Sequence, residues 1–176
     1  MILTSALICL ALNVYHEARD QSTAGQVAVA QVVINRTNDD RYPSTVCEVV
    51  QQGPVYKNTD LPVRHKCQFS WYCDGKKDNP KNSKALTKAL AVASTVLDGK
   101  TIDIIDGATH YHAVYVKPDW IKTKIRTVRI DNHIFYRWEG KEVYQEYIPP
   151  PLPRPKELFE EINNDPSEIH RPYGFR

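Results

Sequence analysis

The chain contains no run of eighteen apolar residues, so nothing in it reads as a helix able to cross a membrane. Its apolar opening, Ile2 to Val14, has no positively charged segment before it and no small-x-small site after it. It runs directly into His16-Glu17-Ala18-Arg19, and it therefore reads as mature protein rather than as a removable leader. Basic residues are scattered singly, which gives a nucleic acid little to hold. Residues 149–176 carry four basic and five acidic side chains, a local −1 against +2 for the whole chain, so the body stands at +3. That mild excess suits an anionic polymer and many other partners equally. No internal repeat is visible. Cys67 and Cys73 are spaced unlike any common zinc knuckle, and His16-Glu17 lacks the second histidine that a metalloprotease helix would need.

With 176 residues, 41% hydrophobic and 25% charged, the composition is that of one globular domain with a sizeable core. The most informative stretch is Leu7 to Gln21. At about 100° per residue, Leu3, Leu7, Leu10 and Val14 fall on one helical stripe, and Glu17 continues it one turn further on. Ile8, Leu12 and Tyr15 lie opposite, so the helix is apolar nearly all round and is expected to be buried. Most helical glutamates face solvent and pair with a neighbour, here His16 or Arg19. A carboxyl on the apolar stripe is different. Burial and the negative end of the helix dipole both favour its protonated form, and a protonated carboxyl is a general acid.

Ser22 reads as an N-cap for a second buried helix over Gly25 to Asn35, and Thr45 to Gln51 as a short third one with Val46, Val49 and Val50 inward. Residues 54–80 read as loops around a short strand or hairpin at Cys67 to Cys73, whose Trp71 beside Gln68 and Ser70 would suit the wall of a sugar-binding groove. Asn82 or Ser83 opens a fourth helix, carrying Leu86, Leu90, Ala93 and Leu97 and ending at Gly99. From Ala108 the period becomes two, with His110 and His112 on one face and Tyr111, Ala113 and Tyr115 on the other. Strands follow over 125–130 and 133–138, turning at Asp131-Asn132, with one more turn at Glu139-Gly140-Lys141. Cys9, inside the first helix, reads as a small core residue; Cys67 and Cys73 are candidates to pair with each other or with Cys47 in an oxidising compartment. Pro149, Pro150, Pro151, Pro153 and Pro155 mark an extended spacer, followed by a short amphipathic piece from Lys156.

Several stretches together resemble the SleB/CwlJ-type cell-wall hydrolases, a family that includes spore-cortex-lytic enzymes and phage endolysins. They are Cys9-Leu10-Ala11, Tyr15 to Arg19, Gly25 to Ala30, Asn35-Arg36, Tyr42 to Cys47, Cys67 to Trp71 with Cys73-Asp74-Gly75, Gly107 to His112, Pro118-Asp119-Trp120 and His133 to Tyr136. They occur in the family's order. The resemblance implies an α+β, lysozyme-like fold of central buried helices with a small antiparallel β region. The composition shift past Tyr147 divides the chain into a domain over residues 1–147 and a Pro-rich C-terminal extension over 148–176, which lies outside the resemblance. The resemblance also implies cleavage of peptidoglycan glycan strands between N-acetylmuramic acid and N-acetylglucosamine, and places the family's catalytic glutamate at Glu17. The family usually continues Glu-Ala-Arg-Gly-Glu; here Arg19 is followed by Asp20 and Gln21.

A hydrolase usually needs a second carboxylate, and only the loop residues Asp20 and Asp74 offer themselves. The single-acid pattern favours a lytic transglycosylase, with Glu17 as acid and then base, and with Gln68, Ser70, Trp71, His110 and Tyr111 holding the sugars. No metal or cofactor is expected, nor a nucleic-acid partner, and the chain is expected to act as a monomer. The missing leader fits a phage lysin made in the bacterial cytoplasm and released to the cell wall through a separate pore. Two alternatives stand beside this reading. One is a zinc amidase or peptidase, in which His110 and His112 bind a metal with His16 or His133 and Glu17 is the base. The other is a non-catalytic wall-binding module.

Overall fold

Helix α2 is apolar on almost every side because it lies between two cores. The computed structural model describes residues 4–138, and α2 spans Thr23–Thr37. Its Ala30 and Val33 join one core with Leu7, Leu10 and Val14 of α1 (Ser5–Ala18). Val49 of α3 (Val46–Gln51) and Val92 of α4 (Ser83–Leu97) complete that layer. Ala28 and Val32 join the other core with Ile105, Ala108 and Phe135, under the sheet. The sheet has three antiparallel strands in the order β1-β3-β2: β1 is His110–Ala113, β2 Ile125–Ile130 and β3 His133–Arg137. This is the expected α+β arrangement.

Ser22 and Asn82 cap α2 and α4 where the sequence puts them, and Thr4 and Thr45 cap α1 and α3. Each accepts a backbone N–H in the first turn of its helix. Gly99 ends α4 with φ +65, a left-handed conformation that glycine adopts freely. Helix α4 is rotated from the expected face: Ala89, Val92, Ala93 and Val96 are buried, while Leu86, Leu90 and Leu97 are only partly so. Small residues there allow close approach to α1, and the larger leucines cover the rim.

Three expectations need correction. Ile8 is 42% exposed, so α1 is buried on a broad face rather than all round; α4, α3 and α2 cover that face and leave one side open. Cys9 is not a plain core residue, since it is bonded to Cys47 and staples α1 to α3. The segment Cys67 to Cys73 is not a strand; its disulfide closes a loop around the 3-10 turn Ser70–Cys73. The turn at 139–141 and the Pro-rich extension lie outside the described residues.

Polar side chains on α2 hold the irregular backbone that leads into the sheet. The Gln31 amide donates to the Ile102 carbonyl at 2.6 Å and accepts from Ile104 N–H at 3.2 Å. Asn35 donates to the Ala108 carbonyl, and Arg36 Nε to that of Thr109 at 2.7 Å. At the other end of α2, the Asp131 carboxylate from the β2–β3 turn accepts from Ser22 N–H at 2.9 Å. The Ser22 side chain first, and then this N–H, hold the Asp131 carboxyl below the usual carboxylate range.

Gly25 leaves the room this carboxylate needs: a Cβ there would stand 2.4 Å from Asp131 Oδ2. Gly25→Ala is expected to push the carboxylate off Ser22 and cost about 1 kcal/mol, read by thermal or urea unfolding. In an Asp131→Ala background the same change should cost less. Replacing Cys9 and Cys47 together by alanine opens a link across 38 residues. The expected loss is roughly 3–4 kcal/mol in the same assay.

Candidate active site

Glu17 sits in the last turn of α1, on the side of the helix that faces the sheet. It is half-buried and lines a cleft of about 490 Å³. Tyr111, from β1, donates its hydroxyl proton to Glu17 Oε2 at 2.8 Å. Burial raises the Glu17 carboxyl above its ordinary value, and the Tyr111 bond opposes that only in part. The helix end adds a further push in the same direction, because unpaired carbonyls there disfavour an anion. Tyr111 is itself driven well above the ordinary phenol range, first by burial and then by the nearby Glu17 charge. It therefore remains a neutral donor. The result is a carboxyl poised to hold a proton and held at one point by a group that cannot remove it.

β-Sheet register explains how Tyr111 reaches α1. It pairs with Phe135 across the β1–β3 ladder and packs on Phe135 and His133, on the face turned toward the helices. His110 and His112 point the other way. His112 Nδ1 donates to the Ala113 carbonyl at 2.8 Å, which leaves Nε2 to accept from the Tyr136 hydroxyl at 3.0 Å. His110 lies against Trp120 and Trp138. Burial, with Arg36, Lys124 and Arg41 nearby, lowers its pKa to about 3, so the ring is neutral.

The opposite wall is the disulfide-closed loop. Trp71 donates its indole N–H to Asn13 Oδ1 at 3.0 Å and stacks on His16 at 4.5 Å, so two residues of α1 fix its ring. Gln52 O accepts from Gln68 N–H at 2.8 Å, and Gly53 lets Cys67 pass close by, where a Cβ would meet it at 3.0 Å. All six candidate residues from the sequence, Glu17, Gln68, Ser70, Trp71, His110 and Tyr111, line this one cleft. Tyr111 differs in kind from the rest, because its hydroxyl is already engaged with Glu17.

Arg36, Asp74, Trp120 and His133 also line the cleft and were not among those candidates for substrate contact. Arg36 is 5% exposed, its guanidinium over the Phe69 and Tyr42 rings, and its Nη1 has no hydrogen-bond partner. The signal that marks Glu17 also marks Arg36: a charge at the end of a buried apolar stripe, one turn beyond Val32 and Val33. Asp74 accepts from Lys76 N–H at 2.8 Å and pairs with its ammonium, which keeps the carboxyl below its usual range. Asp20 and Gln21 do not line the cleft. Gln21 Oε1 instead accepts from Asn132 N–H at 3.3 Å, tying the α1–α2 connection to the β2–β3 turn. Among the described residues no three His, Cys, Asp or Glu side chains converge as a metal-ligand set.

The sequence profile of the cell wall hydrolases matches residues 20–136. The chain belongs to this cell wall hydrolase family. The profile match starts three residues after Glu17, but two solved structures extend the likeness over 77% of the chain. One is the catalytic domain of the germination-specific lytic transglycosylase SleB from Bacillus anthracis, at 26% identity and TM-score 0.55, with 97% of that domain covered. The other is the catalytic domain of the Bacillus cereus SleB protein, at 26% identity and TM-score 0.53, with 93% covered. The fold is thus the lysozyme-like α+β fold of these domains. A comparison with curated proteins finds no match.

The Tyr111–Glu17 bond favours the ionised carboxylate, so its removal must raise the pKa. In Tyr111→Phe, the Glu17 carboxyl signal followed by carbon NMR is expected to titrate at higher pH than in the parent. An unchanged or lower midpoint would show that the bond does not act on Glu17.

Proposed function

We propose that the protein cleaves peptidoglycan glycan strands at the bond between N-acetylmuramic acid and N-acetylglucosamine, as a lytic transglycosylase. The observation that carries this reading is the Glu17 carboxyl, desolvated, held by a neutral phenol and open to a cleft wide enough for sugars. Family membership and the likeness to a SleB domain described as a lytic transglycosylase support it. Residues 1–147 would form the catalytic domain, with 148–176 as its extension.

In this mechanism the protonated Glu17 gives its proton to the glycosidic oxygen as that bond breaks and the muramoyl ring gains oxocarbenium character. The resulting carboxylate then takes the proton of the muramoyl C6 hydroxyl, whose oxygen bonds to C1. The products are a 1,6-anhydromuramoyl end and a free N-acetylglucosamine hydroxyl, and Glu17 is protonated again. Trp71 offers a fixed apolar face to a sugar ring, with Gln68 and Ser70 beside it for N-acetyl and hydroxyl groups. Asp74 favours a second outcome, because it is an ionised carboxylate in the same cleft as a raised one. If it activated water, the enzyme would be a muramidase and leave reducing ends.

Glu17→Gln keeps the shape and removes the proton. On purified peptidoglycan its rate is expected to fall by about 10²- to 10⁴-fold. Turbidity loss near the parent rate would remove the proposal, and no lysis by the parent would favour a wall-binding module. Mass spectra of the products separate anhydro ends from reducing ends. Because Glu17 must begin protonated, the rate should decline as pH rises through its elevated pKa.

A further inference from the structure

Beside His110 and Trp120, which line the cleft, lies a patch of Lys124, Arg41 and Trp138 that sugar-bond cleavage does not require. The Lys124 ammonium lies 3.5 Å from the centre of the Trp138 ring and 5.9 Å from that of Trp120. The Arg41 guanidinium covers Trp138 as well, at 5.2 Å. Two cations thus share one indole, which is 42% exposed. Arg41 is bonded to the Asp39 carboxylate. Among the described residues no carboxylate lies within ion-pair distance of Lys124. Arg36, Arg41 and Lys124 all act on His110, against one carboxylate, Asp39. Lys124 and Arg41 thus meet on one indole beside a neutral imidazole.

Burial and Arg41 both lower the Lys124 ammonium from its ordinary value. Cations gathered on aromatic faces beside a sugar cleft suit a carboxylate joined to a sugar. In stem-bearing peptidoglycan the glycan backbone is uncharged, because the lactyl carboxyl of each muramoyl residue is held in the amide to its stem, and the carboxylates sit on the stems. His110 and Trp120 line the cleft and touch this patch, so an anion bound here lies within a side chain's reach of the glycan. A stem satisfies that geometry because it hangs from the strand itself.

We infer that Lys124, with Arg41, Trp120 and Trp138, binds a peptide-stem carboxylate of a muramoyl residue and makes the protein select stem-bearing strands. This rests on the glycan-cleaving reading and names a specificity of the same cleft. The test compares two substrates, both stripped of teichoic acid: peptidoglycan strands with stems intact, and the same strands after an amidase has removed the stems and the lactyl carboxylates so exposed have been converted to neutral amides. The readout is the ratio of kcat/KM for stem-bearing to bare strands.

In the parent the ratio is expected to be about tenfold in favour of stems, and to shrink as salt rises. Lys124→Gln should bring it toward one, mainly through KM, while Lys124→Arg should keep most of it. Equal cleavage of the two substrates by the parent would overturn the inference and leave the functional reading intact. So would a ratio untouched by Lys124→Gln. A preference that appears only when teichoic acid is left on the walls would overturn it in favour of a phosphate polymer. Cleavage of neither substrate would overturn the functional reading and this inference with it.

Discussion

A carboxyl raised by burial would lose that shift to a cation for its neighbour, and this constraint governs the whole cleft. Arg36 lies close enough to act on Tyr111 electrostatically, and paired with Glu17 it would pull the carboxyl below its ordinary range. The structure keeps them apart. Arg36 is spent on the Thr109 carbonyl and held over Phe69 and Tyr42, and no ion pair forms between it and Glu17. What touches Glu17 is a phenol whose own ionisation burial suppresses. The hydrogen bond fixes the carboxyl's position, and desolvation still decides its protonation.

Placing that phenol is the task of α2 and the sheet. Tyr111 belongs to a strand of four residues, too short to be stable as an isolated hairpin. Its position is imposed from outside by β3 in register and by the Gln31, Asn35 and Arg36 side chains, which satisfy the loop entering β1. The turn between β2 and β3 is pinned in its turn by Asp131 on Ser22 and by Gln21 on Asn132. Helix and sheet thus meet at both ends of α2, and Glu17 and Tyr111 face each other across that joint. The Cys9–Cys47 bond works on the other side, holding α1 against α3.

Glu17 was legible in the sequence because periodicity assigns it to the buried stripe of a long helix, where a charge needs a reason. Arg36 carries the same mark but falls outside a helix ended at Asn35, so extending α2 to Thr37 is what exposes it. The Cys9–Cys47 pairing could not be read, since periodicity says which face of a helix is covered and not by which partner. Ile8 fails for a related reason: an all-round apolar pattern demands neighbours on every side, and three helices leave one side uncovered. Gln68, Ser70 and Trp71 line the cleft although the segment that carries them is not the expected strand, because a disulfide ring can present side chains without regular structure. Trp120 sits in a 3-10 turn too short to show any period, and only the folded chain brings it to His110.

The division of charge along the cleft follows from the same constraint that rules its centre. An enzyme acting on an anionic polymer gains from positive potential, yet fixed cations at the reacting bond would ionise the acid it depends on. Displacing them resolves the conflict. Lys124 and Arg41 stand beside His110, which stays neutral because the cations around it and its own burial both oppose protonation. A neutral imidazole and the rings of Trp120 and Trp138 are what these cations meet, where a charged histidine would have added to the positive potential. Aromatic faces are suited to that place, since they bind cations on one side and sugars on another without contributing a charge of their own.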